Sequence, residues 1–229
     1  KFAGLYFCFH GPFLSSGGNV YVVLLDTTNS KVHVYKATDP TTSFSEVDSA
    51  NAPTQVLSNA SSGLVWARQN SDVLSIAVGD GPLSPAYKFH QFSMASDAWS
   101  ATIKDKAILS PTIPNLAGVG CSVVKRSDGS FVAVLDGAAE KLMGTNYGRV
   151  SYVTSTDGGA TWSGETAVGR VGVKVTIYVG VAVLGASDRT HFFYIDGTTG
   201  THRSLNSANS LDTEQSTGGG LPAAGVAYV

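Results

Sequence analysis

The sequence predicts an all-β protein, a β-propeller of four-stranded antiparallel blades, and three observations predict it. A Gly-led apolar strand recurs about every 55–60 residues, with a shorter last interval, at Gly4-Leu5-Tyr6-Phe7, Gly63-Leu64-Val65-Trp66, Gly118-Val119-Gly120-Cys121, Gly180-Val181-Ala182-Val183 and Gly225-Val226-Ala227-Tyr228. A tight polar turn then feeds a second strand that closes on aspartate. The spacing from turn residue to aspartate is eight in each copy: Gly18 to Asp26, Asp72 to Asp80, Asp128 to Asp136 and Asp188 to Asp196. No stretch carries a helical period, and strand-sized apolar segments alternate with Gly, Ser, Asn and Asp turns. Four-strand units repeated at this length stack radially in propellers.

Taken in order, the units cover about residues 1–55, 56–112, 113–172 and 173–218, and residues 219–229 open a fifth. The second strands, such as Tyr21-Val22-Val23-Leu24-Leu25, are apolar on both faces, as expected of strands held between neighbouring sheets. A leading strand repeated at the end predicts a single incomplete propeller domain, with a full ring of five or six blades. Completion of the ring by partner chains is the alternative. The chain begins at Lys1 without a methionine or a signal peptide, which reads as a processed or incomplete chain. An elongated β-solenoid is the competing architecture, but its coils are shorter than this repeat.

The third unit ends in Ser155-Thr156-Asp157-Gly158-Gly159-Ala160-Thr161-Trp162. Serine and aspartate two apart can bond back to the turn's own amides, and the glycine pair permits positive φ. Trp162 then fills a core. Degraded copies fall at Ala37–Phe44, Ala95–Trp99 and Ser207–Leu211. The motif resembles the Asp-box of the sialidase (neuraminidase) superfamily, also called the BNR repeat. There it closes the hairpin between the last two strands of a blade. The resemblance implies a structural role for Ser155, Asp157, Gly159 and Trp162, and a binding face at the opposite ends of the blades.

Composition removes several function classes. The net charge is −2, the charged fraction is 14%, and no basic cluster offers a footprint for nucleic acid. The most apolar run, Val175–Ala186, is too short to span a bilayer, so no membrane insertion is expected. Cys8 and Cys121 make no disulfide framework; they read as buried thiols, with one bridge as the alternative. His10, His33, His90, His191 and His202 show no metal-ligand spacing, and no cofactor or metal is expected. Asn59-Ala60-Ser61 is an isolated glycosylation triplet, and Trp66 either packs in a core or faces a channel.

On the opposite face the second strands end in Asp26, Asp80, Asp136 and Asp196, which either start turns or line a binding depression. The longest loop follows Asp136 and carries Glu140, Lys141, Tyr147 and Arg149. These eight residues are the candidate ligand-binding set. Catalytic residues are not assigned. Sialidases hold a sugar carboxylate with three arginines, the first in an Arg-Ile-Pro strand; no Arg-Ile-Pro is present, and Arg68, Arg126 and Arg189 occupy inequivalent positions. The sequence therefore reads as a non-catalytic recognition module for glycan or protein on a cell or particle surface. It would be secreted or part of a viral or phage appendage. An exo-sialidase with catalytic residues partly outside this chain and a structural propeller in an assembly are the alternatives.

Overall fold

Among the described residues eighteen strands form four antiparallel sheets that follow one another along the chain. A computed structural model describes residues 9–26, 29–39, 41, 43–54, 64–79, 87–109, 120–136, 140–142, 145–173, 181–196, 199–213 and 215–220. Cys8, Asn59, Asp80 and the leading-strand glycines Gly4, Gly63, Gly118, Gly180 and Gly225 lie outside these residues. Among the described residues no helix is long and apolar enough to cross a membrane.

The first sheet orders β1 (Phe9–Leu14), β2 (Val20–Asp26), β3 (Lys31–Ala37) and β4 (Ser45–Val47) as neighbours in sequence. The second runs β5 (Leu64–Asn70), β6 (Val73–Gly79) and β7 (Tyr87–Ser93), with β8 (Ala98–Trp99) and β9 (Lys106–Leu109) both paired to β7. In the third, β10 (Gly120–Lys125) pairs with β11 (Phe131–Asp136), and β11 pairs with the long β13 (Thr145–Ser155). The short β12 (Glu140–Leu142) and β14 (Thr166–Val173) also pair with β13. The fourth runs β15 (Val181–Leu184), β16 (Thr190–Asp196), β17 (Thr199–Leu205) and β18 (Gln215–Gly220). First strands β1, β5, β10 and β15 adjoin one another in that order, so the sheets stand as the blades of a propeller around a common side.

Three apolar cores fill the spaces between sheets. Tyr21, Val23, Leu25, Val32 and Val34 of the first sheet meet Leu74, Ile76 and Phe92 of the second. Ala77 and Phe89 of the second meet Phe131, Ala133 and Leu135 of the third, and Val134 and Tyr152 of the third meet Phe192 and Leu205 of the fourth. Strand β6 is buried on both faces from Leu74 to Gly79, which explains why it is apolar apart from Ser75. Strand β2 differs. Its Val22 and Leu24 are half-buried, because only the Tyr21–Val23–Leu25 face is covered by a neighbouring sheet.

The turns between third and fourth strands connect the sheets. In the third sheet, Ser155 Oγ donates to Asp157 Oδ1 at 2.8 Å and accepts from Gly159 N at 2.9 Å. Asp157 accepts from Thr161 N at 2.9 Å and from Thr161 Oγ1 at 2.6 Å, and Trp162 Nε1 donates to Gly159 O at 3.1 Å. Gly159 has φ +95° and lies against the Phe89 ring of the second sheet, where a Cβ would come within 2.3 Å of Cε1. Phe131 and Trp162 surround the same ring, with centroids 5.4 and 5.3 Å away. The corresponding turn of the second sheet accepts from Tyr21 Oη at Met94 O (2.9 Å) and at Asp97 Oδ1 (2.7 Å). That of the fourth sheet accepts from Arg126 Nη1 at Asn209 Oδ1 (2.8 Å) and from Arg126 Nη2 at Asn206 O (2.9 Å).

First-to-second turns are clasped on the same face. Ser16 N donates to Asp72 Oδ1 at 2.7 Å and Ser16 Oγ donates to Oδ2. Ser127 repeats both bonds to Asp188. These bonds hold both carboxyls below the usual carboxylate range.

Two outcomes test this account. Gly159→Ala adds a Cβ against Phe89 at a backbone conformation unsuited to alanine, and should lower unfolding free energy by about 2–4 kcal/mol in denaturant titration. Asp157, held at about 2 chiefly by Thr161 and then by Ser155, contributes stability above its unfolded value near 3.8 and loses it as pH falls through about 2. Asp157→Asn should therefore melt lower at neutral pH, and should lose less Tm than the wild type between about pH 4 and 2.

Candidate functional site: the rim where second strands end

Because both kinds of inter-sheet turn lie on one face, the far ends of the second strands define the other. Strands β2, β11 and β16 end there in Asp26, Asp136 and Asp196. Asp26 accepts from Asn29 N at 3.2 Å and Asn29 Nδ2 at 2.6 Å, closing the β2–β3 turn. That is the turn-forming role open to it from sequence.

Asp26 also lies 3.9 Å from His33 Nε2, and His33 Nδ1 is 2.6 Å from Glu46 Oε1. Tyr35 pairs with Glu46 across β3–β4, and its ring centroid is 6.2 Å from that of His33. Burial, followed by the charges of Glu46 and Asp26, pushes the Tyr35 phenol up. The phenol is thereby kept in its neutral form. The group presents two carboxylates, an imidazole and a phenol along one face of the first sheet, a set suited to hydrogen-bonding hydroxyl-rich ligands. Sequence reading passed over His33, Tyr35 and Glu46. The period-two pattern from Val22 to Asp26 is the available signal, but using it requires the β2–β3 register in which Leu24 faces His33.

The segment after Asp136 is not a long open loop. Glu140–Leu142 and Thr145–Tyr147 pair as a hairpin, with Glu140 opposite Tyr147 and Lys141 opposite Asn146. Strands β11 and β12 both lie on the same side of β13, so this hairpin prolongs the second and third strands beyond the sheet end. Glu140, Lys141, Tyr147 and Arg149 are thereby carried on one projecting ribbon, while Asp26 and Asp196 end their own sheets. Asp80 falls outside the described residues.

The arginines divide between the faces. Arg126 bonds to the fourth-sheet turn, Arg203 donates to Asp212 O and to Val168 O, and Arg189 Nη1 donates to Ser204 Oγ at 2.6 Å. Arg68 faces Ser75 near the turn end of β5. Only Arg149 and Arg170, among arginines in the described strands, stand toward the rim end, as Cα partners across β13–β14. Among the described residues no group of three His, Cys, Asp or Glu could hold a metal ion.

This architecture is a β-propeller. No family model and no curated protein matches the sequence. Solved structures share the fold at low identity. An α-L-arabinofuranosidase from Fusarium graminearum matches with TM-score 0.55 and 14% identity, over 87% of this chain and 59% of that one. The Aleuria aurantia lectin, solved with α-methyl-L-fucoside, matches with TM-score 0.54 and 10% identity, over 92% and 63%. The NanB sialidase from Streptococcus pneumoniae gives TM-score 0.54 and 14% identity, over 84% and 29%. The chain thus spans less than two thirds of the length of each of these structures. It has the propeller fold found in sialidases and in these other carbohydrate-related proteins.

Replacing Asp26 with alanine leaves Asn29 without its acceptor and should cost about 1 kcal/mol in unfolding free energy by chemical denaturation.

Proposed function

We propose that the chain is a non-catalytic recognition propeller that binds carbohydrate at the rim of its second strands. In this reading the four sheets are blades of one sialidase-like domain over residues 1–229, within a ring of five or six blades. The Ser155–Trp162 turn is its Asp-box. The observation that carries the proposal is the distribution of arginines. Three of the six in the chain are bonded within or between sheets, and a fourth lies toward the turn face. A three-arginine carboxylate clamp of the sialidase kind is therefore not supplied at this rim by the described residues.

Support for carbohydrate as the ligand comes from the fold, shared with a lectin and with glycosidases, and from the polar and aromatic residues on the rim. Functional residues gather on such projecting segments, while a rigid scaffold fixes their positions. Protein partners in an assembly remain the competing ligands. A secreted or particle-surface setting goes with either ligand.

Two measurements test this. A glycan array should show binding that disappears when residues 137–148 are replaced by a short turn, with the melting curve still cooperative. A fluorogenic sialoside should give no turnover between about pH 4 and 8, the range of carboxylate acid–base chemistry. Turnover would return the protein to the hydrolases, and an empty array would remove carbohydrate as the ligand.

A further inference from the structure

Two buried polar atoms on the inner strands lack partners. Among the described residues, neither His10 Nδ1 of β1 nor Trp66 Nε1 of β5 has a hydrogen bond, and both atoms are closed off from solvent. The two rings lie 4.8 Å apart, centroid to centroid. A buried indole N–H usually finds an acceptor, and leaving such a group unpaired is costly, so two unpaired nitrogens in contact call for an explanation. Burial also pushes the His10 imidazole down, which keeps it mostly neutral at pH 7.

The backbone presents this pair to the common side of the propeller. Val65 and Ala67, on either side of Trp66, enter the core between the first and second sheets. Trp66 alternates to the other face and belongs to none of the three cores. Its ring still meets His10, which pairs across β1–β2 with Val23 of that same core. Strands β1 and β5 each end their sheet, so the contact passes over the free edge of β5, where first strands adjoin. Beside His10 the β1 register is irregular, between His10 and Phe13. Gly11 has φ +129° there, and a Cβ on it would sit 3.1 Å from Tyr21 O. Irregularities of this kind re-aim side chains and concentrate beside active sites.

We propose that His10 and Trp66 form a binding site for a neutral, hydroxyl-bearing ligand, a sugar ring or a small polyol, on the inner edge between the first two sheets. The indole N–H only donates, so the ligand must accept. A neutral imidazole nitrogen accepts or donates according to its tautomer. A hydroxyl does both and meets the pair in either tautomer, whereas an ammonium group cannot accept. The aromatic rings add apolar surface for the C–H groups of such a ligand. The site uses first strands, not the second-strand ends of the rim, and does not depend on which ligand the rim takes.

The test is calorimetric titration of the 229-residue chain with methyl glucoside, methyl galactoside, glycerol and tetrahydropyran, a sugar-sized ring without hydroxyls. At least one hydroxylated probe should bind, a glycoside assigning a sugar and glycerol alone a polyol. Tetrahydropyran should bind about tenfold more weakly. Trp66→Phe, which keeps an aromatic ring without the donor, and His10→Phe should each weaken binding about tenfold. A chain with residues 137–148 replaced by a short turn should bind as the wild type does, which separates this site from the rim. If the aromatic variants fail to fold, the indole N–H resonances of the wild type decide. Of the three tryptophans, Trp66 should shift with bound ligand, while Trp162, bonded to Gly159 O, should not. No binding of any hydroxylated probe, equal binding of tetrahydropyran, binding unchanged in both variants, or indole signals that stay fixed would each overturn the site. Binding lost only with the 137–148 replacement would also overturn it, and would assign the sugar to the rim.

Discussion

The seating of each third-to-fourth turn on the preceding sheet is the constraint on which the structure depends. A β-sheet with two apolar faces is stable only if both are covered, and radial stacking covers them while leaving neighbours free to slide. The turns prevent sliding by engaging a side chain of the sheet before. Each junction does this with different chemistry. Tyr21 reaches Met94 and Asp97, with Lys36 Nζ 2.6 Å from the same carboxylate. Phe89 is covered by Gly159 and Trp162, and Arg126 crosses to Asn206 and Asn209. The phenol of Tyr21, pushed up to about 12 by burial and then by Asp97, remains a donor at every physiological pH. The bond to Met94 O is buried, where a hydrogen bond is strong when satisfied and costly when broken, so it ties the second sheet's turn to the first sheet.

This arrangement assigns the two faces different tasks. The turn face carries the locks: the Ser155–Trp162 turn, the Ser16–Asp72 and Ser127–Asp188 clasps, and the engaged guanidinium of Arg126. Residues there are held by neighbours across a junction and are poor candidates for ligand contact. The opposite rim carries strand ends and the β12–β13 hairpin. Variation is tolerated there, and binding chemistry can be placed there without loosening the stack. Asp26 shows that the division is not absolute, since it closes its own turn and also borders His33.

Much of the architecture was legible because it repeats. Equal spacing from turn residue to aspartate and the Ser155–Trp162 pattern report local geometry, which neighbouring residues determine. Residues 137–149 read as the longest loop, yet pairing of Glu140–Leu142 with Thr145–Tyr147 makes a hairpin. That pairing is still local. Gly148 lies beside a register irregularity and does not end the strand. The cluster of Asp26, His33, Tyr35 and Glu46 was invisible for another reason. Its members come from three strands, and only their register puts them on one face.

By itself the sequence determined the all-β class, the repetition of antiparallel strand units, and which turn would be internally bonded, because all of these follow from short-range periodicity and turn chemistry. Tertiary structure decided which carboxylates close turns, which arginines are engaged between sheets and which two stand opposite each other at the rim. Those outcomes depend on contacts and registers between segments distant in the chain. A one-residue slip moves every side chain of a strand to its other face, and spacing along a single strand carries no record of its partner's register.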